Sequence, residues 1–236
     1  MSTSQKVAVV TGGSQGIGAG VVAGYRKLGY NVVATSRSIP PSEDPRLLTV
    51  RGDIADPAIA EQVVGLAVER FGRVDALVNN AGVSLVKPFV DYTAADFETV
   101  IGTNVAGFFQ ITQRAIAEML RQGGGHVVNI TATFADRPSS RFTNVLASLT
   151  KGGIAAATSA LALEHASRGV RVNAVAPGYI ATAIFPPETH ATVAPMVPLG
   201  RLGEVDEIVD AVMYLEQASY VTGEVLHVDG GTIAGQ

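Results

Sequence analysis

After six residues the chain runs Val7-Ala8-Val9-Val10 and then Thr11-Gly12-Gly13-Ser14-Gln15-Gly16-Ile17-Gly18. Ile17, Val21, Val22 and Tyr25 follow at near-helical spacing. An apolar run that breaks into a glycine-rich turn and re-emerges as an amphipathic segment reads as strand, tight turn and helix. The glycines allow a sharp turn and a close approach of backbone to a bound group. The helix N-terminus adds unpaired N–H groups and a partial positive charge. A pyrophosphate needs both. The segment is therefore read as a phosphate-binding loop, with Gly12, Ser14, Gln15, Gly16, Ile17 and Gly18 as ligand contacts.

The remainder repeats the same alternation. Short, Val-rich runs at 7–10, 31–35, 47–50, 76–78, 126–130, 171–175 and 225–228 are nearly continuous rather than alternating. Strands buried on both faces look like this. Helical segments are expected at 16–28, 57–71, 94–121, 146–167 and 205–216, the second opening on Asp56 as N-cap with Pro57 behind it. The expected fold is α/β: a single Rossmann-type, doubly wound domain over residues 1–236, with a mainly parallel seven-stranded sheet and helices on both faces. Ligands of such sheets sit at the carboxyl ends of the strands. The proline-bearing stretch 178–200, read as one long irregular loop, is expected there as a substrate lid.

Composition narrows the partners. Hydrophobic residues make up 47% and charged residues 16% of the 236, so the chain can bury a large core. With a net charge of −4 and no basic patch, nucleic acid is not an expected partner. Cysteine is absent, and His126, His165, His190 and His227 lack metal-ligand spacing, so no metal is expected. There is no signal-peptide pattern and no run of 18 apolar residues, so a cytoplasmic location without a membrane partner is expected.

The end of the second strand bears on which dinucleotide binds. An acid there would accept the ribose hydroxyls of NAD and repel a 2′-phosphate. The chain instead reads Ala34-Thr35-Ser36-Arg37-Ser38. Arg37 can clamp a phosphate through two charge-assisted hydrogen bonds and Ser36 can add a third, so NADP(H) is favoured and NAD(H) is the alternative.

The TGxxxGxG spacing at 11–18 resembles the short-chain dehydrogenase/reductase family, and further motifs follow in that family's order. Asn79-Asn80-Ala81-Gly82 resembles its NNAG turn, Asn104 its helix asparagine, Asp53-Ile54 its adenine contact, Pro177-Gly178 with Ile180 and Thr182 its nicotinamide-flanking loop, and Val228-Asp229-Gly230-Gly231 its ending. The resemblance implies a homo-oligomer, tetramer or dimer, to which residues 214–228 would contribute. It also implies hydride transfer completed by Ser, Tyr and Lys with Asn in support. Lys151 matches the Lys, holding ribose and lowering the phenol pKa. Four residues before it, however, stands Ala147, and the Ser falls near Ala132.

Two of the three groups are therefore expected to be missing. Thr131 or Thr133 could replace the Ser hydroxyl. The proton could come from Tyr179 or from water held by Lys151 and Asn104, or it could be unnecessary for an imine substrate. Phe134, Phe142, Ile184 and Phe185, with Ala132 and Ala147, are the expected walls for a small, fairly apolar substrate. The rival reading is a catalytically inactive NADP(H)-binding protein of the same fold.

Overall fold

In a computed structural model, which describes residues 5–138 and 144–235, the strands form one seven-stranded sheet in the order β3-β2-β1-β4-β5-β6-β7. These are β1 (Val7–Thr11), β2 (Asn31–Ser36), β3 (Leu47–Arg51), β4 (Ala76–Asn79), β5 (Gly125–Ile130), β6 (Val170–Pro177) and β7 (Val225–Val228). Every neighbouring pair is parallel. The chain winds outward from β1 to β3, then returns to lay β4 against the other side of β1. The resulting crevice at the carboxyl ends of β1 and β4 is where ligands bind in such sheets.

Both faces are covered, which explains the continuous apolar runs. Ala8 and Val10 join one buried cluster with Val21, Val22 and Tyr25 of α1 (Gly16–Lys27) and with Ile208, Val212 and Leu215 of α8 (Val205–Gln217). Val7 and Val9 face the other way. There they meet Val63 and Ala67 of α2 (Pro57–Phe71) and Ile111, Ala115 and Met119 of α4 (Phe108–Gln122). The α2 start is as expected, with Asp56 accepting from the Ala58 N–H and Pro57 at the first turn.

Three segments differ from the sequence reading. The single helix expected over 94–121 is α3 (Ala94–Ile101), a π-helical turn (Gly102–Gly107) and then α4. Gly107 lies against Ile54, where an added Cβ would come within 3.0 Å of the Ile54 carbonyl oxygen. The widened turn carries Asn104, and such bulges recur at functional sites. After β5 the chain enters a one-turn helix, α5 (Thr133–Asp136), and then α6 (Val145–His165). The stretch 178–200 is not irregular throughout: Pro187 opens α7 (Pro187–Val193), and a 3₁₀ turn follows at Ala194–Met196. Among the described residues Val145–Arg168 is long and apolar enough by composition to cross a membrane. Here it is a core helix, with Ile154, Thr158 and Ala162 buried and the Thr158 hydroxyl accepting from Asn129 of β5.

At the end of the sheet opposite the crevice lies a buried polar cluster. Glu216 accepts from Tyr25 at 3.1 Å, Tyr30 at 2.8 Å and His126 Nδ1 at 2.8 Å. Asn173 donates to His126 Nε2 at 3.0 Å, which fixes a neutral ring protonated on Nδ1. Burial lowers the His126 pKa more than the Glu216 bond raises it. Burial alone would raise the Glu216 pKa, but the bonds from His126, Tyr30 and Tyr25 outweigh it and hold it down. Both groups thus bind protons more readily in the unfolded chain. Stability present above about pH 6.5 should be lost as pH falls, first through His126 and later through Glu216. Melting temperature should drop between pH 7.5 and 5, by about 2–4 °C per kcal/mol lost. The drop should be shallower in His126→Gln, measured by circular dichroism; equal slopes would show that His126 is not the titrating group.

Candidate active site

The crevice is built around one hydroxyl. Thr11, at the end of β1, accepts from the backbone N–H groups of Asn80 and Ala81, each at 3.0 Å. Asn80 reciprocates by donating its side-chain amide to the carbonyls of Thr11 at 3.0 Å and Gly12 at 3.1 Å. The phosphate loop and the turn after β4 are thereby fastened to each other. Gly12 adopts φ +67°, and a Cβ on Gly18 would collide with the Gly12 carbonyl and the Asn80 amide, so both positions require glycine.

The loop opens one side of a long cleft. Gly12, Ser14, Gln15, Gly16, Ile17 and Gly18 line its floor, and Ser36, Arg37, Asp53 and Ile54 line one end. Asn80, Ala81 and Gly82 continue toward the other end, with Thr182 and Ile184 above. Gln15, the N-cap of α1, makes no side-chain cap bond, and the first turn of α1 holds no acid. The N–H groups there thus remain open to an anion, as a pyrophosphate site requires. Sequence reasoning missed Thr35, Ser38, Gly52, Val83, Thr103 and Ala183, which also line the cleft. Ser38 could have been found: it neighbours Arg37, and its hydroxyl lies 3.5 Å from that of Ser14. The Arg37 carbonyl accepts from Arg51 Nε at 3.0 Å, which brings a second cation to this end.

Lys151 and Asn104 line a smaller recess at the inner end with Thr11, Asn79 and Ala81. The Lys151 ammonium donates to the Ile130 carbonyl at 2.6 Å, and burial pushes its pKa down to about 8. A Cβ at Gly82 would stand 3.3 Å from Lys151 Nζ and 3.4 Å from Asn104 Oδ1, so all three converge. Asn104 is 1% exposed. It accepts from the Val83 N–H at 2.8 Å and donates to the Val83 carbonyl and the Thr150 hydroxyl, each at 3.0 Å. It thus ties residue 83 to α6. Four residues before Lys151 stands Ala147, 1% exposed, and Ala132 is also buried.

Other expected residues are placed differently. The Thr131 hydroxyl donates to the Val175 carbonyl at 3.2 Å, and that of Thr133 lies 3.2 Å from the Ala176 carbonyl and 3.1 Å from Asp229 Oδ2. Both are buried and bind β6 and the chain's end. Tyr179 stacks edge-on against Phe185, ring centres 5.4 Å apart, and does not line the cleft. Ile180 is buried and bridges to Gly203, while Gly178 lies against Asp229. Pro177, which ends β6, does not line the cleft either. Phe134 lies in α5, Ile184 is 72% exposed, and Phe142 falls outside the described residues.

Thr11→Val keeps the shape but leaves two backbone N–H groups without their acceptor. This should cost roughly 1–3 kcal/mol in urea unfolding. An unchanged midpoint would show that the Thr11 hydroxyl does not hold the two loops together.

Comparison with known proteins is consistent with this geometry. A family profile described as enoyl-(acyl carrier protein) reductase matches residues 12–232. The 3-oxoacyl-[acyl-carrier-protein] reductase of Thermotoga maritima is 33% identical over 251 aligned positions, covering 99% of this chain and 100% of that protein. A solved structure of ElxO with NADP bound superposes with a TM-score of 0.91 at 28% identity, over 98% of this chain and 100% of the other. The 3-ketoacyl-(acyl-carrier-protein) reductase of Brucella melitensis, solved with NADH, gives 0.90 at 31% identity, over 97% and 98% of the two chains. The profile match over most of the chain and the near full-length relative show that the chain belongs to the short-chain dehydrogenase/reductase family.

Proposed function

We propose that this protein binds NADP(H), in preference to NAD(H), and transfers a hydride to or from a small, fairly apolar carbonyl, alcohol or imine substrate without the family's usual proton donor. The observation that carries the reading is the continuity of the cleft. It runs from Arg37 and Ser36, past the open N-terminus of α1, to Gly82, beside which the Lys151 ammonium and Asn104 stand. The nicotinamide, when bound, supplies or takes the hydride. Structures of relatives with NADP and with NADH support the cofactor class. Arg37, with Arg51 beside it and no acid at the end of β2, supports the 2′-phosphate preference.

Ala147 and Ala132 stand in our reading where the family carries Tyr and Ser. On that reading we assign the proton to Lys151. A lysine whose pKa burial has brought to about 8 is close to the value at which an acid works best near neutral pH. It would donate directly or through a water shared with Asn104. Thr131, Thr133 and Tyr179 are less suited, since the two threonine hydroxyls bind β6 and the tyrosine ring packs on Phe185. Residues 178–200 would serve as the lid, with Thr182 and Ile184 above the cleft. Phe109 on α4 and Leu149 on α6, 59% and 58% exposed, support a homo-oligomer.

The test is NADPH consumption by the purified protein against aldehydes, ketones, diketones and imines, with NADPH binding measured in the same sample. Turnover is expected, with the reduction rate level below about pH 8 and falling above it as Lys151 loses its proton. Tight binding without turnover on any substrate would move the reading to a non-catalytic NADP(H)-binding protein. Independently, Arg37→Leu should weaken NADPH about tenfold or more and leave NADH affinity within a factor of two, since a charge-assisted phosphate contact is worth about 1.5–3 kcal/mol. Equal losses for both cofactors would place Arg37 away from the 2′-phosphate.

A further inference from the structure

One side chain at the start of the helix that carries Lys151 is held in an arrangement that its local role does not explain. Asn144 is the N-cap of α6, where an Asn side chain normally accepts from the first turn, worth about 1 kcal/mol. It makes no such bond. Its amide nitrogen instead reaches across to the Ser84 hydroxyl at 2.7 Å. Its Oδ1 is buried without any partner among the described residues. A buried acceptor left unpaired is costly in the free protein and ceases to be so when a ligand donates to it.

The position of this pair gives it a role. The Asn144 carbonyl accepts the Ser148 N–H at 2.9 Å, so Asn144 continues the helical register of α6. Asn144, Ala147 and Lys151 are then spaced i, i+3 and i+7, on one face. Ser84 is likewise anchored to the site from its own side: Asn104 grips Val83 at both its N–H and its carbonyl, and Gly82 lies against the Lys151 ammonium. Contacts thus close a ring from Lys151 and Thr150 through Asn104, Val83 and Ser84 to Asn144 and back along α6. Small, buried Ala147 sits between the two ends on the helix face.

We propose that Ser84 and Asn144 orient the substrate and set its class: a carbonyl flanked by a hydroxyl or N–H donor, such as an α-hydroxyketone. Because Asn144 donates to the Ser84 oxygen, the Ser84 proton is directed elsewhere, toward the carbonyl oxygen. The buried Asn144 Oδ1 accepts from the neighbouring O–H or N–H. One donor and one acceptor side by side match such a substrate and leave a plain ketone with the acceptor still unpaired. The inference rests on the placement of the reaction beside Lys151 that we propose above.

The test separates the two proposals by reading binding apart from turnover. 2-Hydroxyacetophenone and acetophenone are titrated by calorimetry into the protein saturated with NADP⁺, where the ketone cannot be reduced. NADPH turnover of both is measured separately. The hydroxyketone should bind about tenfold or more tightly than the plain ketone. In Asn144→Leu that ratio should collapse toward one, while NADPH affinity is retained as the check on folding. Ser84→Ala, at an exposed position that tolerates truncation, should weaken both ligands. A preference with no turnover would leave the pair standing and remove the hydride-transfer reading. No preference in the native protein, no binding of either ligand, or a preference that survives Asn144→Leu would overturn the pair.

Discussion

Thr11 and Asn80 join two loops that the chain keeps nearly seventy residues apart, and the cleft depends on that junction. β1 and β4 are neighbours in the sheet, but parallel pairing alone leaves the segments beyond their carboxyl ends free to splay. One hydroxyl accepting two backbone N–H groups, and one amide donating to two carbonyls, close that gap. The glycines at 12 and 18 exist to make the approach short enough. With the junction in place, the N-terminus of α1 and the turn at Asn80–Gly82 line one continuous trough, and Lys151 stands beside Gly82.

The inner end of the trough shows a second kind of economy. Asn104 sits on a π-helical turn and uses its side chain to tie Val83 to α6. Lys151 gives one hydrogen bond to the Ile130 carbonyl and pairs with no carboxylate among the described residues, and burial lowers its pKa. A cation held by desolvation rather than by an ion pair loses its proton near neutral pH, and on the function proposed above that property would let Lys151 offer an acid. Ser84, next to the Val83 that Asn104 grips, meets Asn144, whose hydrogen-bonding capacity is only partly used.

The opposite end of the sheet is organised by the reverse principle. Glu216 is buried with three donors on its carboxylate, and Arg171 donates to the carbonyls of Leu215, Ala218, Val221 and Glu216. Every group has its partner, which pins the C-terminal end of α8 to the sheet. The molecule thus keeps a saturated polar cluster at the base and a partly unsatisfied one at the mouth, which suits a rigid scaffold carrying a binding site.

Much of this was written in local residue order. Continuous Val-rich runs mean strands covered on both faces, and a strand–glycine turn–helix means a phosphate site, because period and backbone freedom are properties of neighbouring residues. Hence the seven strands, the parallel sheet and the floor of the cleft were legible. What tertiary structure decided were the directions of single side chains. Thr131 and Thr133 follow β5 as expected, yet their hydroxyls serve β6, since buried donors take the nearest carbonyl. Tyr179 lies in the expected loop, yet its ring packs on Phe185. The break in the helix at Gly102–Gly107 and the reach of Asn144 to Ser84 depend on contacts between segments distant in the chain, Gly107 with Ile54 and α6 with the turn after β4. Residue spacing alone carries no information about those contacts.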